Sequence, residues 1–74
     1  MDWRLRVGQN VRRLRHAKGL SQEKLAVDAA IDLTYLGGIE RGRRNPSLLV
    51  MVRIADALDA PLEALIANES FQRE

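Results

Sequence analysis

The chain contains no cysteine, which removes both a disulfide framework and a thiolate metal site as supports for a fold of 74 residues. It has one histidine, and its carboxylates are scattered over separate segments, so no nucleophile, metal cluster or paired acid and base can be assembled from it. Neither enzyme activity nor a cofactor is expected. Aromatic residues are equally scarce: Trp3, Tyr35 and Phe71 are too few and too dispersed to build a stacking platform for RNA. Long apolar runs are missing too. The longest, from Ser47 to Val52 and onward, is cut by Arg53 and Asp56 well short of the roughly 18 residues a membrane span needs. No signal-peptide pattern opens the chain, so a soluble, cytoplasmic protein with no membrane partner is expected.

What is present has globular balance, with 46% hydrophobic and 30% charged residues. One small domain is expected, with no room for a sensing module and hence no small-molecule effector. The net charge of +2 conceals an asymmetry. Residues 1–44 carry ten Lys/Arg against five Asp/Glu, a net of +5, whereas residues 45–74 carry two against five, a net of −3. A basic first half suits a polyanion and an acidic second half suits something else. Charge balance by itself leaves DNA, RNA, an acidic protein and a solvated helix face all open.

Apolar spacing is helical throughout. Trp3, Val7, Val11 and Leu14 recur at intervals of four, four and three, which predicts an amphipathic first helix ending at Gly19, with Leu20 beyond the cap. Ser21 is a suitable cap for a short second helix with Leu25, Ala26 and Ala29 inward, and Asp32 for a third with Leu36 and Ile39 inward, ended by Gly42. Ser47 caps a fourth, whose expected core stripe is Leu48, Met51, Ile54, Ala55 and Leu58. Pro61 starts a fifth with Leu62, Leu65 and Ile66. No stretch alternates with period two for long enough to be a strand. The expected fold is all-α, a compact five-helix bundle over residues 1–68, with 69–74 as a polar tail.

Only Ala30 and Ile31 separate the second and third helices, too little chain for them to lie antiparallel, so they should cross steeply as in a helix-turn-helix. Here the run Gly19-Leu20-Ser21-Gln22-Glu23-Lys24-Leu25-Ala26 and the run from Tyr35 through Glu40, Arg41, Gly42, Arg43, Arg44, Asn45 and Pro46 to Ser47 resemble the helix-turn-helix domain of the phage repressor and Cro family. The resemblance extends over roughly residues 5 to 66. Among small members, the chain looks most like the controller proteins of bacterial restriction-modification systems. It implies a bundle of the repressor type in which the third helix enters the major groove of double-stranded DNA.

By position, the resemblance places Leu33, Thr34, Gly37 and Gly38 against bases and Gln22 against phosphate; Arg41 is a further candidate for base contact, and Lys24, Tyr35, Arg43, Arg44 and Asn45 for phosphate or groove contacts. It also pairs Arg15 with Glu40 in a partly buried salt bridge. Independently of the family, 100° steps put Thr34, Gly37, Gly38 and Arg41 opposite Leu36 and Ile39. Two adjacent helical glycines cost about 1 kcal/mol each relative to alanine, so either this face comes close to a groove wall or the helix is poorly optimised. Tyr35 suits a phosphate or the flank of the core. Arg12, Arg13 and His16 on the first helix read as a solvated face. With only Leu33 and Thr34 as side chains for direct contact, specificity shifts toward Arg41, Arg43, Arg44 and DNA shape. Ala30 stands where relatives favour glycine; in a left-handed turn it would be strained by about 1 kcal/mol.

Helix four is more apolar than one core face requires. Leu49 points away from its stripe and Val50 and Ala57 lie on its shoulder; together with Arg53, Leu62 and Ile66 they suit a two-fold homodimer, or else they cover helix five or the tail. The function implied is a sequence-specific transcriptional regulator, bound as a homodimer to a pseudo-palindromic operator and controlling its own restriction-modification operon. The alternative is an antitoxin-type module that binds a toxin through helices four and five.

Overall fold

Four polar side chains open four helices. The computed structural model describes residues 2–68, and in it the Asp2 carboxylate accepts the Arg4 backbone N–H at 3.0 Å to start α1, Trp3–Ala17. The Arg4 side chain bonds the same carboxylate and holds its pKa below the usual carboxylate value. This cap is therefore intact at neutral pH and lost only as pH falls through that lowered value. Ser21 Oγ accepts from Lys24 N at 3.0 Å to start α2, Gln22–Ala29, and Asp32 Oδ2 accepts from Tyr35 N at 3.1 Å to start α3, Leu33–Glu40. Ser47 Oγ does the same for Val50 N at 3.1 Å, opening α4, Leu48–Ala57. Each such bond satisfies a helix-end donor, and those of Ser21, Asp32 and Ser47 are worth about 1 kcal/mol apiece. The glycines at 19 and 42 take left-handed angles, φ +72° and +75°. They let Leu20 N reach Arg15 O at 3.0 Å and Arg43 N reach Gly38 O at 2.9 Å, the closure that ends a helix sharply.

The expected fifth helix is not an α-helix. Leu62–Leu65 forms a single 3-10 turn after Pro61, so the described residues hold four α-helices and one such turn, with no strand. The turn is tied to α1: the buried Asn10 amide donates to Leu65 O at 2.9 Å and Ala67 O at 3.0 Å, satisfying carbonyls at the end of the turn. Asn10→Ala should leave those acceptors short of a partner at a cost of about 1–3 kcal/mol. At roughly 4–8 °C per kcal/mol for a domain of this size, thermal unfolding followed by circular dichroism should show a drop of several degrees or more. An unchanged midpoint would mean that the turn holds without the amide.

The core is a contiguous set from every element: Val7 and Val11, Leu25, Ala26 and Ala29, Leu36 and Ile39, Ile54, Ala55 and Leu58, and Leu65. Three expected core positions, Trp3, Leu48 and Ile66, are exposed instead. Trp3, one turn before Val7, is 55% exposed, its ring covered by the Arg6 guanidinium at 5.1 Å. Leu48, the first residue of α4, is 63% exposed. α1 packs on α3 and on the 3-10 turn, and α2 packs on α3 and α4. Among the described residues no helix is long and apolar enough to cross a membrane.

Candidate nucleic-acid interface

The angle between α2 and α3 is set by three residues. Ala30 takes φ 58° and ψ 45°, a left-handed conformation that costs a residue with a Cβ about 1 kcal/mol. Ile31 N then bonds Ala26 O at 3.0 Å while its side chain packs on the core, and Asp32 restarts the helix. α3 therefore leaves α2 abruptly, with Leu33 and Thr34 exposed at its start.

Behind α3 lies a buried polar clamp. Glu40 Oε2 accepts Arg15 Nε at 2.7 Å, while Oε1 accepts Arg15 Nη2 at 3.1 Å and the Gln22 amide at 2.9 Å. The remaining arginine nitrogen, Nη1, donates to Leu20 O at 2.9 Å, and Nη2 lies 3.2 Å from His16 Nε2. One carboxylate thus ties together α1, the start of α2 and the end of α3. Gln22, considered for phosphate, spends an amide proton on this clamp and is half-buried. Arg13, considered part of a solvated face, bonds Asn10 Oδ1 at 2.9 Å.

On the outward side the two helix glycines are not bare. Both are buried, and the protein's own arginines cover them. A Cβ at Gly37 would lie 3.1 Å from Arg41 Nη1, and one at Gly38 would lie 2.7 Å from Arg44 Cγ. Without side chains at 37 and 38 the helix surface is flat enough for arginine stems to lie along it, so the outward matter at these positions is guanidinium and methylene. Arg41, Arg43, Arg44 and Asn45 are all exposed, giving a cationic exit at the other end of α3 from Leu33 and Thr34.

A short bent pair of helices, the second held from behind and fringed with arginine in front, is the arrangement that places a helix in a major groove. Residues 6–67 match the family described as "Helix-turn-helix domain". The chain belongs to that family. Among curated relatives it is 45% identical over 58 residues to an uncharacterized HTH-type transcriptional regulator of Sinorhizobium fredii, covering 78% of this chain and 75% of that one. It is 34% identical over 74 residues to the control protein C.SmaI of Serratia marcescens, covering 100% and 88%. In structure it is similar to the restriction-modification controller protein C.AhdI of Aeromonas hydrophila, with TM-score 0.82, 48% identity and coverage of 84% and 94%. The chain is therefore a helix-turn-helix regulator, of a kind that works by binding DNA and not by catalysis.

The other positions singled out in this regulator are dispersed. Lys24 Nζ lies 3.2 Å from Asp28 Oδ1 within α2, and Tyr35 is half-buried with the Arg44 guanidinium 5.8 Å from its ring centre. On the opposite side, Leu49 is 70% exposed and Ile66 is exposed, whereas Val50, Ala57 and Leu62 are half-buried at the core margin. Arg53 stands beside Ala30 O at 3.5 Å, bordering a depression between α2 and α4 lined also by Asp28 and Asp56. Two residues that position the site escape the periodicity argument. Gly8 faces the carbonyls of Ile39 and Glu40 where α1 crosses α3, and Asn10 anchors the last turn. A glycine inside an otherwise regular helix was the available signal for the first; nothing local marks the second.

Proposed function

We propose that this chain is a sequence-specific regulator of transcription that binds double-stranded DNA as a homodimer on a pseudo-palindromic operator and controls the restriction-modification operon that encodes it. The observation that carries the reading is the clamped α3, with Leu33 and Thr34 exposed at its start and Arg41, Arg43, Arg44 and Asn45 exposed at its exit. In this reading Leu33, Thr34 and Arg41 approach base edges, and Lys24, Tyr35, Arg43 and Asn45 serve phosphate or groove contacts. Gln22 contributes from the N-terminal turn of α2 while remaining part of the clamp. Gly37 and Gly38 take part as the surface on which the arginines lie. Residues 1–68 form the domain, with α4 and the final turn on its pairing side.

The adjacent exposed Leu48 and Leu49, flanked by Val50, Arg53 and Ala57, support the dimer and leave Leu62 and Ile66 at its edge. The curated relatives named as control proteins support the operon assignment. Selection from a random duplex pool should return paired half-sites about one helical turn, roughly 34 Å, apart, with affinity falling steeply as salt rises. Sedimentation should show a dimer at micromolar concentration that Leu49→Lys converts to monomer. A monomeric wild type, or selected sites without symmetry, would remove the homodimer.

A further inference from the structure

We infer that Gly38 and Tyr35 form a seat that positions the Arg44 guanidinium on the groove-facing side of α3, so that Arg44, and not Arg43, is the exit arginine that selects a guanine. The inference rests on the DNA-binding reading above and assigns specificity within it.

The Arg44 stem lies flat on α3. A Cβ at Gly38 would stand 2.7 Å from its Cγ, 3.4 Å from its Nε and 3.6 Å from its Cδ, so successive side-chain atoms run over backbone that any other residue would cover. The guanidinium carbon then sits 5.8 Å from the centre of the Tyr35 ring, within the range of cation–π attraction. Positions 35 and 38 are three apart in one helix and share a side. An arginine rooted beyond the C-terminal end of α3 is thus drawn back toward the end that carries Leu33 and Thr34.

The two glycines are not equivalent in this respect. At Gly37 the nearest atom is Arg41 Nη1 at 3.1 Å, the tip of a flexible side chain that can swing aside. At Gly38 the obstacle is the middle of the stem, which must lift off the helix to admit a methyl group. Arg43, by contrast, makes no side-chain hydrogen bond or ion pair with the described residues; only its backbone N–H is engaged, on Gly38 O. It leaves the helix unguided, as suits a phosphate contact. A guanidinium held in place matches the O6 and N7 acceptors of guanine with two parallel hydrogen bonds, and holding it beforehand reduces the ordering lost on binding. Gly38 and Tyr35 are positioning residues in this scheme, and Arg44 is the contact.

The test compares wild type, Gly38→Ala, Arg44→Ala, Arg43→Ala and the Gly38→Ala/Arg44→Ala double variant. Each is taken through the same random-duplex selection, with thermal midpoints measured in parallel. Arg44→Ala and Gly38→Ala should each relax preference at the same guanine, by about 5- to 150-fold, and the double variant should lose nothing further. Arg43→Ala should weaken all sequences alike. Gly38→Ala should leave the midpoint unchanged or raised, since alanine favours helix over glycine; a lowered midpoint together with relaxed preference would make the residue merely structural and overturn the proposal. So would a Gly38→Ala protein that keeps the wild-type preference, or an Arg44→Ala loss uniform over all sequences. Should wild type select no duplex at all, the DNA-binding reading fails and the specificity role with it. The seat is then judged separately, by whether a ring-current shift of the Arg44 Nε–Hε resonance exists and is abolished by Gly38→Ala.

Discussion

Glu40→Ala is expected to cost about 3–5 kcal/mol, because it removes one partner of a buried ion pair and leaves the other charged inside the protein. Arg15 and Glu40 are both buried, and the carboxylate accepts three hydrogen bonds, two from the guanidinium and one from Gln22. Small domains have total stabilities near the low end of roughly 5–15 kcal/mol, so the variant should be close to unfolded at 37 °C. Urea titration at low temperature measures the loss. The companion Arg15→Met/Glu40→Leu should recover most of it, since apolar residues of similar volume do not carry the desolvation cost of an ion pair. A single-variant loss below about 1 kcal/mol, in the range of solvent-screened pairs, would show that the clamp is not holding α3.

Gly8→Ala carries the second large effect, with a sign opposite to helix propensity. Alanine in place of glycine within α1 should gain up to about 1 kcal/mol. The new methyl group, however, would run into the carbonyl oxygens of Ile39 and Glu40, and these are backbone atoms at the end of α3 that cannot rotate aside. Overpacking of this kind costs about 1–3 kcal/mol or more, and relief requires α1 and α3 to separate. A lower unfolding midpoint is expected, together with a loss of operator affinity greater than the unfolded fraction explains, because the displaced element is the recognition helix. Increased stability in Gly8→Ala would mean that the crossing has slack. The contrast with Gly38 is instructive: both glycines lie inside helices, but one faces immovable carbonyls and the other a flexible side chain.

Much of this architecture is legible in the chain because the determinants are local. Asp32, Ser21 and Ser47 mark helix starts by a side-chain oxygen three residues ahead of the N–H it accepts, and Gly19 and Gly42 mark ends by the angle they permit. The stripe of Val7 and Val11, of Leu36 and Ile39, or of Ile54 and Leu58 is likewise visible in spacing. What spacing cannot convey is which neighbour a polar or absent side chain meets. Asn10 anchors the final 3-10 turn through acceptors 55 and 57 residues away. Gly37 and Gly38 lie on the outward side by angle, yet are covered by residues whose stems fold back along the helix. Leu48 shares the angular stripe of Met51 and Ala55 yet is exposed at the first residue of α4, since spacing does not show how far along the helix its neighbours reach.

The Asn10 bridge also bears on the order in which the chain can close. Its bond to Leu65 spans 55 residues, and the Arg15–Glu40 pair spans 25 inside it, so the second loop is nested within the first. Closure entropy grows only as the logarithm of loop length, about 0.6 kcal/mol per doubling. Once the inner pair has formed, the outer closure confines only the four residues between Asn10 and Arg15 and the twenty-four between Glu40 and Leu65. The same ion pair that orients the recognition helix therefore roughly halves the length of free chain that the last turn must gather in, linking the assembly of the reading unit to the completion of the domain.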